Sequence, residues 1–241
     1  MTLARSAELL HRLAENPAHA ALFLDVDGVL APIVPRPEDA RVPDETRAEL
    51  ERLNDRYALV ACISGRDGND ARGIVGVPEL TYVGNHGLEL EPEAEAWASR
   101  LAELLAGVTW PRIENKTLTA SLHYRGEPDE AAAKWELDAI AERARAAGFV
   151  ARYGRKVLEL VPPLAANKGT AVRRLLDERQ LRRALYAGDD TTDLDGFAAL
   201  EQLELGVRVA VSSAEGPEAL RTAADVVVDS PAALFELLRE L

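Results

Sequence analysis

Short apolar segments that end in polar residues recur along this 241-residue chain, and they constrain its fold more than any other feature. HAALFLDV, residues 19–26, ALVACI, residues 58–63, and ALYAGDD, residues 184–190, are such segments, and helical spacing separates them. Runs of this kind are typical of parallel strands that are buried on both faces. Their alternation with helices therefore predicts an α/β fold with a doubly wound, Rossmann-like parallel sheet as its core.

The middle of the chain has a different pattern, with more aromatic residues and alternating polarity. LTASLHYR, FVARYG and KVLELV are typical of antiparallel strands, and helices are predicted near residues 93–106 and 128–147. We therefore expect an inserted α+β cap domain over residues 87–163. The core domain would consist of the two flanking parts, residues 1–86 and 164–241.

Charge and composition exclude several classes of protein. The net charge of -13 and the pI of about 4.9 disfavour a surface that binds nucleic acid phosphates. Cys62 is the only cysteine, so an intramolecular disulfide is excluded. No apolar run approaches the ~18 residues of a membrane span, and the N-terminus lacks a signal-peptide pattern. We expect a cytoplasmic protein with no nucleic acid or membrane partner, whose N-terminal helix packs on the core or contacts a partner.

Polar residues follow the predicted strands at points that a parallel sheet brings to one edge. Asp25 and Asp27 follow the first strand, SGR at residues 64–66 follows the second, GDDTTD at residues 188–193 follows a later one, and Lys168 opens a helix. Carboxylates ~4 Å apart repel one another by about 4 kcal/mol at an effective dielectric near 20, so this cluster needs a cation. Mg²⁺ is the expected one, because it prefers hard oxygen ligands and leaves positions for water and phosphate.

These residues predict the hydrolysis of a phosphate monoester. With Mg²⁺ and Lys168 neutralising the phosphoryl oxygens, Asp25 could attack phosphorus in line and form an aspartyl phosphate. Asp27 could protonate the leaving alcohol and later deprotonate the water that cleaves the intermediate. Ser64 and nearby backbone N–H groups would hold phosphoryl oxygens, and Gly28 would let the backbone approach them closely.

The same residues carry a resemblance to a known superfamily. DVDGVL, SGR, NKG and GDDTTDLDGF resemble, in order and spacing, the four motifs of haloacid dehalogenase (HAD) superfamily phosphatases, and the inserted domain is similar to their C2 cap. GNHGLEL, IENKTLTASLHYR and GRKVLELVPP, together with the last motif, resemble the trehalose-6-phosphate phosphatases of that superfamily. One departure is Val29, where the family more often has threonine, but this position is not among the proposed catalytic groups.

The resemblance implies an Mg²⁺-dependent phosphatase that acts on trehalose 6-phosphate in trehalose biosynthesis. It implies Asp25 as the nucleophile and Asp27 as the acid and base. It also implies Asp25, the Asp27 carbonyl and Asp189 as Mg²⁺ ligands, with Asp190 and Asp193 in support. Five further residues would hold the disaccharide, unless they are polar residues on the solvated face of an antiparallel sheet: Glu114, Lys116, Arg125, Arg155 and Glu159.

Several alternatives stay open. Arg66 either helps to hold the phosphate or forms a surface ion pair, and His86 and His123 are either packing residues or ligands. The same core could serve sucrose phosphate, glucosylglycerol phosphate or a phosphosugar mutase, because only the cap distinguishes such substrates. The chain could also be a catalytically silent subunit whose partner is a sugar phosphate synthase, such as a trehalose-6-phosphate synthase. The intact carboxylate cluster argues against silence, because a subunit without chemistry has no need of it.

Overall fold

The structure is a computed structural model that describes residues 3–154, 156–212 and 216–241. One predicted site residue, Arg155, lies outside these ranges. The strands over the described residues are β1 (Ala21–Leu24), β2 (Leu59–Ile63), β3 (Thr81–Val83), β4 (Ile113–Asn115), β5 (Ala120–His123), β6 (Val150–Gly154), β7 (Val157–Val161), β8 (Arg183–Gly188), β9 (Leu205–Val211) and β10 (Val226–Val228). The α-helices are α1 (Leu3–Ala14), α2 (Asp44–Arg56), α3 (Gly68–Val75), α4 (Ala94–Ala106), α5 (Glu130–Ala146), α6 (Lys168–Glu178), α7 (Asp193–Ala199), α8 (Glu218–Ala223) and α9 (Pro231–Leu238).

A parallel sheet forms the core of the first of two compact units. That unit comprises Met1–Gly87 and Ala166–Leu241, and the second unit is Leu88–Ala165. The sheet has six strands in the order β10-β9-β8-β1-β2-β3, and all of its pairings are parallel. Every residue of β1 and of β2 is buried. The parallel sheet predicted from the apolar runs is therefore confirmed.

Helices cover both faces of this sheet. Since side chains alternate along each strand, successive residues pack against helices on opposite faces. Leu22 and Leu24 of β1 belong to a buried apolar cluster that includes residues of α1, α2, α3 and α9. On the opposite face, Tyr186 of β8 packs edge-on against Phe197 of α7, with 6.0 Å between the ring centroids. This arrangement is the doubly wound fold that the sequence predicts.

The N-terminal helix packs on the first unit. Leu10 and Leu13 of α1 are buried, and the Ser6 hydroxyl donates a hydrogen bond to the Asp225 carbonyl at 3.1 Å. Of the two roles considered for this helix, packing on the core is the one that these contacts support. Over the described part of the chain, no helix combines the length and the apolar composition needed to cross a membrane.

The second unit has its own antiparallel sheet, in the order β4-β5-β7-β6, together with α4 and α5. Leu158 and Leu160 of β7 are buried while their neighbours along the strand are only partly so, which is the alternation expected of a sheet with one covered face. Trp97 of α4 packs edge-on against Phe149, with 5.0 Å between centroids. The predicted α+β character of the inserted segment is confirmed.

Candidate active site

Three adjacent strands of the parallel sheet bring polar residues to one edge. Leu24, the last residue of β1, is in register with Cys62 of β2 and Ala187 of β8. Asp25 follows β1, and its amide donates to the Ala187 carbonyl at 3.0 Å. Ser64 follows β2. Since the strand order runs in opposite directions on either side of β1, this edge is the topological switch point at which α/β sheets commonly bind ligands.

A buried lysine joins two of the predicted acids. The Lys168 ammonium donates to Asp25 Oδ2 and to Asp193 Oδ1, each at 2.7 Å. Lys168 is 2% exposed, Asp25 6% and Asp193 not at all. A buried ammonium is stable only when carboxylates pair with it, so the three side chains form one electrostatic unit.

The first turn of α6 explains how Lys168 is held. Asn167 caps this helix, because its side chain accepts from the Thr170 amide at 2.8 Å while the Thr170 hydroxyl accepts from the Asn167 amide at 2.9 Å. Gly169 lies directly against the backbone of Asp195, and a Cβ there would overlap the Asp195 carbonyl. The glycine of NKG therefore allows α6 to approach α7 closely enough for Lys168 to reach Asp193.

Asp193 organises the loop after β8. Its Oδ1 also accepts from the Tyr186 hydroxyl at 2.7 Å, and its Oδ2 accepts from the amides of Asp189 and Asp190, both at 2.9 Å. With the bond from Lys168, each oxygen of Asp193 accepts two hydrogen bonds. Asp193 therefore fixes the backbone of Asp189. The sequence offered no signal for Tyr186, which lies between the apolar residues Leu185 and Ala187 of β8.

The buried acids carry more negative charge than Lys168 neutralises. Burial raises the pKa of Asp25 well above its ordinary value, against the attraction of the Lys168 ammonium, and the Asp193 carboxylate raises it further. Burial also raises the pKa of Asp189 to about 7, again with a contribution from Asp193. Although burial alone would lower the pKa of Lys168, the two carboxylates outweigh it and raise that pKa, so the lysine stays protonated. The surplus negative charge favours the uptake of a proton or a metal cation.

The donor set at this edge fits a divalent cation. Asp25, Asp189 and Asp193 each offer one carboxylate oxygen, and these oxygens lie within 4.8 Å of one another. Because the oxygens of Asp193 are already saturated with hydrogen bonds, Asp25 and Asp189 are the members with remaining ligand capacity. Gly28 has a φ of 76°, and a Cβ there would overlap the Asp189 carboxylate, so glycine allows Asp189 to lie beside the loop after β1. Hard carboxylate oxygens are the ligands that Mg²⁺ and similar cations prefer.

Asp27 is paired with Arg66. The Arg66 Nε donates to Asp27 Oδ2 at 2.6 Å and its Nη2 donates to Asp27 Oδ1 at 2.8 Å. Arg66 also donates to Asp70 Oδ2 at 2.9 Å and to the Pro37 carbonyl at 3.2 Å. Of the two roles predicted for Arg66, the structure displays an ion pair, and its partner is the predicted acid and base of the reaction. A contact between Arg66 and phosphate stays a prediction.

Ser64 lies in a loop that a left-handed turn supports. Its hydroxyl accepts from the Arg66 amide at 3.1 Å, and Ser64 is 1% exposed. The Asn85 amide donates to the Arg66 carbonyl at 2.7 Å and the His86 amide donates to the Ser64 carbonyl at 2.9 Å. Asn85 and His86 have φ values of 51° and 54°, and the His86 ring covers Gly65. The packing role considered for His86 is therefore the one that this contact supports.

Two of the predicted sugar-binding acids lie on one face of the second unit's sheet. Glu114 of β4 and Glu159 of β7 are both in register with Ser121 of β5, which lies between them. Glu114 pairs with His123 at 3.2 Å, and Glu159 accepts from Arg152 Nε at 2.8 Å. Arg152 was not among the residues predicted from the sequence, although the alternation along β6 places it opposite Glu159. His123 is thus a hydrogen-bonding partner of a predicted site residue.

The remaining predicted sugar-binding residues lie beyond the strand ends. Lys116 follows β4, and its ammonium is 3.5 Å from Glu114 Oε1. Arg125 is exposed and lies two residues after the end of β5. Among the described residues, the structure therefore brings Glu114, Lys116 and Glu159 to neighbouring positions. Arg155 cannot be placed, because it lies outside the described ranges.

Comparisons with known proteins point to one family. A family model described as trehalose-phosphatase matches residues 23–112 and 109–232. The trehalose-phosphate phosphatase of Mycobacterium avium (strain 104) is 34% identical over an alignment of 252 residues, and the match covers 92% of this chain and 62% of that protein. Trehalose 6-phosphate phosphatase RA3 of Zea mays is 29% identical, with 91% of this chain and 69% of that protein covered. An uncharacterized glycosyl hydrolase of Mycobacterium tuberculosis (strain ATCC 25618 / H37Rv), Rv2006, is 36% identical over 78% of this chain, which spans only 16% of that relative's length.

Solved structures with the same fold include two fungal proteins. Trehalose-6-phosphate phosphatase of Aspergillus fumigatus has a TM-score of 0.63 and 24% identity, with 99% of this chain and 96% of that chain covered. The C-terminal domain of the C. albicans trehalose-6-phosphate phosphatase has a TM-score of 0.65 and 22% identity, with 96% and 94% covered. At these identities the likeness establishes the fold alone. A haloacid dehalogenase-like hydrolase from Bacteroides thetaiotaomicron, with a TM-score of 0.60, shares it.

Proposed function

We propose that this chain, which belongs to the trehalose-phosphatase family, hydrolyses trehalose 6-phosphate to trehalose and inorganic phosphate. The observation that carries the proposal is the buried triad of Lys168, Asp25 and Asp193 beside Asp189 at the switch point of the sheet. Such a concentration of charge is costly to bury and has no structural purpose that apolar residues would not serve better. It suits the stabilisation of a phosphoryl group.

Asp25 is the nucleophile in this proposal. One of its carboxylate oxygens attacks phosphorus, and the bond between phosphorus and the sugar oxygen breaks with its electron pair going to that oxygen. In the second half of the reaction, a water molecule attacks the phosphorus of the aspartyl phosphate, which releases inorganic phosphate and restores the Asp25 carboxylate. Lys168, which is protonated and 2.7 Å from Asp25 Oδ2, neutralises negative charge throughout.

Asp27 moves the protons. It donates one to the sugar oxygen as the first bond breaks, and it accepts one from the water that cleaves the intermediate. Ser64 and the backbone N–H groups beside Gly28 hold the phosphoryl oxygens in the proposal. The loop that holds Ser64 is already fixed by the turn at Asn85 and His86, so these donors need little reorganisation during the reaction.

Mg²⁺ is the proposed cation. Asp25, Asp189 and the Asp27 carbonyl would hold it, while Asp193 and the loop at Asp190 keep Asp189 in place. When bound, Mg²⁺ supplies positive charge to the phosphoryl oxygens and orients them. Among the acids of this site, Asp25 and Asp189 are the ones whose pKa burial raises. A divalent cation would therefore reduce the free-energy cost of keeping both carboxylates ionised.

The second unit, the proposed cap, recognises the sugar. Carboxylates accept hydrogen bonds from sugar hydroxyls, and arginine or lysine donates to their oxygens. The proposed contacts are Glu114, Lys116, Arg125, Arg155 and Glu159, of which Glu114, Lys116 and Glu159 lie near one another. A trehalose-6-phosphate synthase would be the partner that supplies the substrate. Since a sugar phosphate dianion does not cross a bilayer unaided, the two enzymes would share one compartment, which we propose to be the cytoplasm.

A phosphate-release assay tests the proposal. The panel contains trehalose 6-phosphate, sucrose phosphate, glucosylglycerol phosphate, glucose 6-phosphate and p-nitrophenyl phosphate, each with Mg²⁺ and with EDTA. We expect the highest kcat/KM for trehalose 6-phosphate and no release in EDTA. A higher kcat/KM for another sugar phosphate would overturn the substrate, and full activity in EDTA would overturn the metal requirement.

A further inference from the structure

Asp27, the proposed acid and base, forms an ion pair with Arg66. Two parallel hydrogen bonds, at 2.6 and 2.8 Å, join the guanidinium edge to both carboxylate oxygens. This fork geometry fixes the plane of the carboxylate as well as its distance. The Asp27 side chain is 41% exposed, so contacts with a buried core do not fix its orientation.

Arg66 is itself held at several points. Its side chain is 15% exposed, its Nη1 donates to Asp70 Oδ2 at 2.9 Å, and its Nη2 donates to the Pro37 carbonyl. Its backbone is fixed too, because its amide donates to the Ser64 hydroxyl and its carbonyl accepts from the Asn85 amide. Hydrogen bonds therefore fix both the side chain and the backbone of Arg66, and Asp27 is bonded to this fixed guanidinium.

We propose that Arg66 is a positioning residue that orients the Asp27 carboxylate for proton transfer, and that Asp70 anchors Arg66 in that role. The inference rests on the proposed phosphatase function. It differs from the assignment of Arg66 as a phosphate ligand, because a phosphate could reach the donors that Asp27 occupies only by displacing that carboxylate. Ser64, Lys168 and the proposed cation already supply charge and hydrogen-bond donors to the phosphoryl group.

The physical reason for such a support is the geometry of proton transfer. A general acid works only when its oxygen lies within hydrogen-bond reach of the leaving oxygen. A half-exposed aspartate has free rotation about two side-chain bonds, and most of its orientations point away from any bound ester. By donating to both oxygens, Arg66 limits the Asp27 carboxylate to one orientation. The lone pairs of these oxygens that do not face the guanidinium are the ones left to exchange a proton with the substrate.

The proposal predicts an effect that depends on the leaving group. The oxygen that leaves a sugar phosphate is strongly basic and must take up a proton as its bond to phosphorus breaks. The p-nitrophenolate ion is a stable anion at neutral pH and leaves without that proton. Losing the orientation of Asp27 should therefore slow the first ester and spare the second in the step that forms the aspartyl phosphate.

The experiment measures the formation of the aspartyl phosphate in single-turnover reactions with Mg²⁺, for trehalose 6-phosphate and for p-nitrophenyl phosphate. The variants are Arg66→Gln, Arg66→Lys, Asp70→Asn, Asp27→Asn and the double variant Arg66→Gln/Asp27→Asn. Arg36→Gln is the matched control, because it breaks an exposed pair with Asp39 of the same two residue types, at 2.7 and 2.9 Å, in the same unit. Inhibition by inorganic phosphate is measured for each protein.

We expect Arg66→Gln to slow the sugar ester by ~10- to 100-fold and the aryl ester by less than about threefold, a part of the ~100- to 10,000-fold that general acid catalysis supplies. Asp70→Asn should slow the sugar ester less, and Arg66→Lys should restore part of the rate. The double variant should be no slower than Asp27→Asn alone, because the two residues act as one unit. Arg36→Gln should match the wild type.

Two results would overturn the role of Arg66. One is an equal loss on both esters, and the other is a weaker inhibition by inorganic phosphate in Arg66→Gln that matches its loss of rate, which would make Arg66 a phosphate ligand. The aryl ester also reports folding, since a variant that retains its hydrolysis is folded, and Arg66→Lys provides the same comparison if Arg66→Gln does not fold. A wild-type protein that releases phosphate from neither ester would instead count against the proposed function.

Discussion

The acids of the site differ in how many hydrogen bonds they already accept, and this difference separates their roles. Asp193 accepts two at each oxygen. Asp25 accepts one at each, from Lys168 and from the Val26 amide, both at 2.7 Å. Asp193 is thus committed to holding its neighbours, whereas Asp25 retains lone pairs for attack and for a metal.

At this scale, Asp25→Asn is expected to abolish turnover while the fold is kept. The amide has nearly the size of the carboxylate and still accepts hydrogen bonds, but it cannot form an acyl phosphate. Lys168 keeps Asp193 as a charged partner. Phosphate release should fall by more than a hundredfold, and the thermal midpoint should change by a few degrees at most. Activity above a hundredth of wild type would contradict the assignment of the nucleophile.

Asp189 should make the stability of the metal-free protein depend on pH. Its pKa is raised from 3.8 to about 7 by burial, so the folded chain binds more protons than the unfolded chain within that window. The Asp189 contribution to the free energy of unfolding is therefore largest below its unfolded pKa of 3.8 and is lost as the pH rises through its folded pKa of about 7. Because Asp189 is only partly buried, the loss between pH 6 and pH 8 is at most about 1 kcal/mol. This corresponds to ~2 to 4 °C in the melting temperature.

Thermal melts of the wild type and of Asp189→Asn in EDTA check this dependence. Asp189→Asn should lose the Asp189 part of the decline, and adding Mg²⁺ should raise the melting temperature of the wild type at pH 8 far more than that of the variant. A wild type and a variant with identical pH profiles in EDTA would show that Asp189 does not carry the surplus charge.

Much of this site could be predicted from the sequence, because strand ends are visible in the chain itself. The apolar runs determine the parallel sheet, and the sheet determines that Asp25, Ser64 and Lys168 meet at one edge. Pairings across long separations are not visible in this way. Nothing in the local sequence of Arg66 indicates that it binds Asp27, 39 residues earlier in the chain. Likewise, the apolar neighbours of Tyr186 along β8 give no indication that its hydroxyl binds Asp193.

Among the elements, the left-handed turn at residues 85–87 connects two parts of the site. Its first two amides bind the loop at Ser64. Its last residue, Gly87, has a φ of 103°, and a Cβ there would lie 2.7 Å from the Asn167 carbonyl oxygen, at the start of α6. The turn therefore spaces the Ser64 loop and the helix that carries Lys168.

We expect Gly87→Ala to be destabilising by about 2 to 5 kcal/mol, because it combines ~1 to 2 kcal/mol for the left-handed backbone with ~1 to 3 kcal/mol for overlap with Asn167. Gly73→Ala is the control, since a Cβ at Gly73 meets nothing within 4 Å and this residue lies inside α3. That change should stabilise slightly, as alanine favours a helix. Equal melting temperatures for the two variants would show that the turn tolerates displacement.

The strands of the second unit support a prediction about specificity. If Glu114 and Glu159 read sugar hydroxyls, Glu114→Ala and Glu159→Ala should lower kcat/KM for trehalose 6-phosphate ~10- to 100-fold, as expected for one lost hydrogen bond to a charged group. Hydrolysis of p-nitrophenyl phosphate should change little, because that substrate never had those contacts. Glu142→Ala on α5, which breaks an exposed pair with Arg145, is the control. Equal losses on both substrates would assign these acids to the fold.

Over the whole molecule, each unit has a complete sheet and a core of its own. The first unit contains the residues proposed for the chemistry, and the second contains those proposed for the sugar. The net charge of -13 adds a general repulsion toward anionic substrates. The local positive charge of Lys168 and of a bound cation must therefore overcome the field of the whole protein, and phosphate binding should strengthen as the salt concentration rises and screens that field.

The contact between Gly87 and Asn167 has a consequence for the way the chain is assembled. The segment Leu88–Ala165 is an insertion whose two ends are held together by residues of the first unit, Gly87 and Asn167. The length of this insertion therefore adds little to the loop-closure entropy that the first unit loses on folding. An insertion of this kind can be replaced or deleted as a unit. A chain in which a short Gly-Ser linker replaces it should still melt cooperatively and should hydrolyse p-nitrophenyl phosphate slowly, without preference among sugar phosphates. Circular dichroism and phosphate release would measure both properties. An unfolded product would mean that the first unit needs the insertion in order to fold.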